Sequence, residues 1–84
     1  MFHKVTSVSP LQNYQLSIHF NDGTVKIYDI KPLFNKWPIF KILQTNQSAF
    51  NSVKVDQGGY GISWNDNIDL SCNELWENGK PPTL

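Results

Sequence analysis

Asn21-Asp22-Gly23-Thr24 lies between two runs of alternating apolar and polar residues and constrains this chain more than any other feature. Asp-Gly is the dipeptide of a type I′ turn, whose twist suits two antiparallel strands and whose two central residues both need φ > 0. A two-residue turn at Asp22-Gly23 pairs Phe20 with Val25, Ile18 with Ile27 and Leu16 with Asp29. The aromatic and aliphatic residues of the hairpin then fall on one face. Gln15, Ser17 and His19 stand on the other face, opposite Ile30, Tyr28 and Lys26. Side chains alternate strictly along a strand, so this assignment of faces stands or falls with the register.

The rest of the chain builds around that hairpin. Lys4 to Pro10 alternates imperfectly and reads as a short first strand at an edge, stopped by a proline. Pro32 takes the chain out of the sheet. Leu33, Phe34 and Trp37 form a one-turn element closing the core's edge, and Pro38 suits the first position of a helix carrying Ile39, Phe40 and Leu43 at helical spacing. Asn46 caps a further turn through Phe50, and each helix is expected to run about five to eight residues, against the usual 11–12. Val53 to Trp64 is a second hairpin. A turn at Gly58-Gly59 sets Val55 against Ile62, whereas a turn at Gln57-Gly58 slips the register by two. Both put Val53, Val55, Tyr60, Ile62 and Trp64 on one side. Asn65-Asp66-Asn67 turns the chain again, Ile68 to Leu70 adds a brief strand, and Ser71-Cys72-Asn73-Glu74 has the form of a helix capping box. Asn78-Gly79 stops that helix, and residues 80–84 read as a disordered tail behind a domain of residues 1–79. The expected fold is α+β: a small antiparallel sheet of two hairpins plus a first strand, short helices packed on one side, and a capped C-terminal helix.

At 84 residues the chain can fill one small core, with 13% aromatic side chains, and has nothing left to bury in a second lobe. Its charge balances at zero, seven Lys plus Arg against seven Asp plus Glu. Every basic residue is a lysine and no two are adjacent. Without arginine, the residue of bidentate phosphate and guanine contacts, and without a basic stripe, autonomous nucleic-acid binding is not expected. Cys72 is the single cysteine, so no intrachain disulfide can form. No apolar run has the length of a signal peptide or a membrane span. A cytoplasmic protein with no membrane association is expected.

Each sign of chemistry has a structural explanation that fits better. Cys72 stands at a helix start, where a thiolate is favoured, yet no histidine pairs with it at a readable spacing, and a small packing residue accounts for it. The oxygen cluster Asp66-Asn67-Ile68-Asp69 lacks the twelve-residue loop and closing glutamate of a calcium hand, and turn chemistry accounts for it. A single cysteine and two separated histidines rule out a structural zinc site. Gly58, Gly59 and Gly61 lie between strands, without the helix and lysine that make a phosphate loop. No catalytic residue, metal or cofactor is therefore assigned.

The order of motifs carries a resemblance. Asp29, Pro32 and Leu33 form a D-x-x-P-L element after the first hairpin. Val53 to Trp64 reads V-x-V-D-x-G-G-x-x-I-x-W, and Asp69-Leu70 precedes a helix ending in Leu75-Trp76. Over residues 5–78 the chain resembles small bacterial proteins of domain of unknown function 2442. Asn67 stands where that family usually has glycine, and asparagine is the next residue to tolerate the left-handed turn. The resemblance implies a small α+β domain. Some longer relatives carry a helix-turn-helix domain after this one, which a chain ending at Leu84 is expected to lack, and others are encoded beside a second small protein, as toxin–antitoxin and regulatory pairs are.

The aromatic residues exceed what so small a core needs. Ser17, His19, Tyr28 and Ile30 on the outer hairpin face, with Trp37, are the candidate binding residues. They point to a non-catalytic interaction or regulatory module that takes a protein partner or a second copy of itself. The alternative is a small-molecule or peptide-sensing domain, with a minimal enzyme the remaining possibility.

Overall fold

The computed structural model describes residues 3–82. Three strands, β1 Val5–Pro10, β2 Gln15–Phe20 and β3 Val25–Asp29, are followed by three short helices, α1 Leu33–Lys36, α2 Lys41–Thr45 and α3 Gln47–Asn51, then by three more strands, β4 Lys54–Val55, β5 Gly61–Asn65 and β6 Ile68–Ser71, and a last helix, α4 Cys72–Asn78. The fold is α+β, with antiparallel strands and a C-terminal helix. Its strands divide into two three-stranded sheets, β1-β2-β3 and β4-β5-β6, instead of one.

The first hairpin forms, in a register one residue away from the expected one. Leu16 faces Tyr28, Ile18 faces Lys26, and Ser17 faces Ile27. The connection is the three-residue loop Asn21-Asp22-Gly23, closed by the amides of Phe20 and Gly23 bonding to the carbonyls of Thr24 (2.9 Å) and Phe20 (3.0 Å). Gly23 alone in the loop has positive φ, at 90°, whereas a type I′ turn would need it at Asp22 as well. Asp22 instead turns its carboxylate to accept from the Thr24 amide at 2.9 Å, which holds its pKa below the usual carboxylate value. The energetic reason lies at the far end of the strand. The type I′ register would turn Asp29 inward opposite Leu16 and leave Tyr28 and Ile30 in water. The observed one buries Ile30 fully and the Tyr28 ring nearly so, and leaves Asp29 exposed, where it pairs with Lys31 Nζ at 3.1 Å.

The second hairpin takes the first of its two expected registers, with Val55 facing Ile62 and Lys54 facing Ser63. Gly58 and Gly59 both have positive φ in its loop. Tyr60, expected on the buried side, is 56% exposed because the loop ends at this residue before β5 begins.

One buried cluster draws on both sheets and all four helices. Aromatic contacts join its parts. Tyr14 meets Phe34 and Phe50 edge-on, Trp64 meets Phe40, and Trp76 meets Phe20, with ring centroids 5.0–6.0 Å apart. Trp64 Nε1 donates to the carbonyl of Phe50 at 3.0 Å, satisfying a carbonyl that the end of α3 leaves free. Asn46 and Ser71 cap α3 and α4 through the amides of Ala49 and Glu74, as expected. Lys80 does not trail away. Its amide and carbonyl exchange hydrogen bonds of 2.9 and 2.7 Å with Ile27, adding one rung to the outer edge of β3. Of the expected tail, Thr83 and Leu84 lie outside the described residues.

Candidate functional site

The one-residue change of register separates the candidate binding residues. Ser17 and His19 stay on the outer face of the first sheet, in rows Ser9–Ser17–Ile27 and Ser7–His19–Val25. Ile30 is fully buried and the Tyr28 ring nearly so, so neither belongs to that surface. The aliphatic residues on the outer face are Val25 and Ile27, both half-buried. Trp37 sits apart, 40% exposed just after α1, with Lys36 Nζ 4.8 Å from its ring; Ile39 and Ile42 are exposed on the same helical segment. The five residues form no single site.

Tyr28 instead reaches a different feature. Along the outer edge of β3 runs an open groove of about 820 Å³. Its lining takes Ile27, Tyr28 and Asp29 from β3, with Leu11 and Gln15 beside them, Pro32, Leu33 and Lys36 from the chain entering and forming α1, and Glu74 and Asn78 from α4. The short segment Lys80–Pro82 forms its rim. The groove exists because β3 ends at Asp29 and Pro32, which cannot donate to a ladder, leads the chain into α1, while α4 packs against the same strand. Gly79 permits the close packing, since a β-carbon there would press on Lys26 Cβ at 3.0 Å.

At the floor, Tyr28 OH donates to Glu74 Oε2 at 2.7 Å, and Asn78 Nδ2 donates to the same oxygen at 2.9 Å. Glu74 thus serves only half of the expected capping box. Ser71 Oγ accepts from its amide, but its carboxylate turns to Tyr28. Burial, and then the hydrogen bond to and charge of Glu74, raise the Tyr28 pKa above its ordinary value. A phenol held this way keeps its proton at neutral pH and serves as a hydrogen-bond donor.

Cys72 is buried in the core, and its amide bonds to the carbonyl of Tyr60 at 2.9 Å. His3 stacks flat on Trp76 with centroids 3.5 Å apart, while His19 is exposed on β2. Among the described residues no three His, Cys, Asp or Glu side chains gather to hold a metal ion, and no helix is long and apolar enough to cross a membrane.

Sequence reasoning missed Glu74, Asn78 and Lys80 as groove residues, because the groove joins positions far apart in the chain. Tyr28 and Glu74 are separated by 46 residues. The available signal was the S-x-x-E pattern, which marked Glu74 as a cap and concealed its second role.

No curated protein and no solved structure matches the chain. A family model does match, over residues 5–81, and the span includes both hairpins, all four helices and every wall of the groove. By that match the chain belongs to the family described as protein of unknown function (DUF2442).

Proposed function

We propose that this protein is a non-catalytic interaction module of the cytoplasm, one half of a regulatory, antitoxin-like pair, and that its partner binds in the groove beside β3. The observation that carries this reading is the open strand edge set against a concave wall. Val25, Ile27 and Asp29 direct their backbone N–H and C=O groups away from β2, and Pro32 and Leu33 line the groove together with Ile27 and Asp29. Such an edge offers hydrogen bonds to any extended chain, and the wall beside it offers selectivity for side chains. The exposed Trp37, Ile39 and Ile42 supply further apolar surface for a partner larger than a single strand. Zero net charge and the lack of arginine favour a protein partner over a nucleic acid.

The test is co-expression with the product of the adjacent reading frame, followed by co-purification and amide exchange. A complex with slowed exchange in β3 and α1 is expected. A neighbour that neither co-purifies nor changes exchange anywhere in this protein would refute the pairing.

A second reading draws on the groove's size. A volume of about 820 Å³ falls in the range of small-molecule sites, and the Tyr28–Glu74–Asn78 cluster is a polar anchor of the kind that orients a ligand. A thermal-shift screen across metabolite classes tests it, and no shift with any class counts against it.

A further inference from the structure

The single rung formed by Lys80 marks which backbone groups of the β3 edge are engaged. Antiparallel to β3, Lys80 occupies the position opposite Ile27, so the next outward-facing residue, Val25, falls opposite Pro82. Proline has no N–H, and Pro82 cannot return the hydrogen bond that a strand in that place would donate. In the other direction the position opposite Asp29 falls to Asn78, which belongs to the last turn of α4. Among the described residues, no backbone group therefore pairs with Val25 or Asp29 on this edge. The C-terminal segment shows that the edge accepts an antiparallel chain, and its own sequence stops it from making more than one pair.

We infer that the edge of β3 takes an extended segment of a partner protein as an added antiparallel strand, and that Lys80–Pro82 is a weak strap the partner displaces. This rests on the reading of the groove as the partner-binding face. An incoming strand with amides at alternate positions pairs with Val25 and Ile27, where the strap pairs with Ile27 alone, and α4 keeps its place opposite Asp29. It thereby forms two pairs for the one it displaces. Its side chains on one face meet Pro32 and Leu33 in the groove, which asks for an apolar residue there. The prolines keep the resident segment replaceable and guard the edge against indiscriminate pairing.

The experiment pans a display library of random peptides of about nine residues, enough for one strand, against the full chain. The most enriched peptide is then made synthetically and used as the probe. It should slow amide exchange at Val25 by about tenfold or more at saturation, and release the Lys80 amide. Replacing the peptide residue that pairs with Ile27 by proline should abolish binding. A second variant, Pro81→Ala with Pro82→Ala, lies on the exposed rim and keeps the fold. It should lengthen the strap's pairing, slow Val25 exchange in the free protein, and weaken the peptide about tenfold. Peptides that bind but leave Val25 and Ile27 unaltered overturn strand addition while leaving an interaction module in place. A library that yields no binder overturns both. Concentration-dependent protection of the same amides without peptide would identify a second copy as the occupant and overturn the inference.

Discussion

The phenol of Tyr28 donates to the carboxylate of Glu74 across 2.7 Å, tying the end of an edge strand to the first turn of the last helix. Through this bond, with the Lys80 rung beside it, the C-terminal helix is clasped to the first sheet. The ring of Tyr28 is core while its hydroxyl forms the floor of the groove, so stability and binding surface meet in one residue.

Tyr28→Phe keeps the ring and removes the bond. The loss should be about 1.5 kcal/mol at neutral pH, the range for hydrogen bonds to charged groups. Burial raises the Tyr28 pKa in the folded state, so its contribution is complete below the unfolded tyrosine's pKa of about 10 and declines as pH rises beyond that. The stability difference between wild type and Tyr28→Phe should therefore be constant up to about pH 9 and narrow above about pH 10. Urea titrations at a series of pH values read this directly. A difference that widened at high pH would mean the phenolate is accommodated in the fold.

Gly23 and Gly59 separate two demands made on glycine. Both have positive φ, 90° and 76°, but a β-carbon at Gly23 meets nothing within 4 Å, while one at Gly59 would lie 2.6 Å from the carbonyl oxygen of Val5. Gly23→Ala should cost about 1 kcal/mol, from backbone strain alone. Gly59→Ala should cost about 3 kcal/mol, because strain adds to a clash with the backbone of β1. Equal costs, measured by denaturant midpoint, would show that the contact between the second hairpin's loop and β1 yields easily.

What could be read from the residues divides along a physical line. Signals carried by neighbours in sequence were legible: the Asn46 and Ser71 caps, the proline exits and the existence of both hairpins. The register at Asp22-Gly23 was not, because turn chemistry allowed loops of two or three residues. The decision lay with the burial of Tyr28 and Ile30 and the exposure of Asp29 at the far end of the strand. That one-residue difference moved two candidate binding residues into the core. The groove was equally hidden, since its walls come together only when α4 packs against β3. His19 and Trp37 are exposed and Ser17 half-buried, and no sequence periodicity reveals that Trp37 lies apart from the other two.

Trp64 holds the second sheet to the helical segment by its indole N–H. Trp64→Phe leaves the Phe50 carbonyl buried without that donor and opens space beside Phe40. The expected cost is about 3 kcal/mol, combining an unsatisfied carbonyl with a partial cavity. The urea midpoint should fall with the slope unchanged, since the surface exposed on unfolding is nearly the same. A loss well under about 1 kcal/mol would mean water replaces the indole at the end of α3.

Lys26 closes the clasp between β3 and α4 from the inner face. Its ammonium donates to the carbonyl oxygen of Trp76, in the last turn of α4, and lies 4.1 Å from the centroid of the Trp76 ring. A cation at this end of a helix satisfies a free carbonyl, complements the dipole and faces the aromatic ring, three modest effects that act together. Lys26→Met keeps the stem that packs against Gly79 and removes only the charge. The global cost should be about 1 kcal/mol, because the site is partly open to solvent. The local effect should be larger in kind. With the end of α4 loosened, exchange at the Ile27 and Lys80 amides should accelerate more than at Leu16 or Ile18, which report on the sheet interior. A strap freed this way should also bind an edge-adding peptide more tightly, since less intramolecular pairing is displaced. Uniform acceleration at all four amides would instead place Lys26 in the general stability of the fold and leave the Ile27–Lys80 rung as the sole hold on the strap.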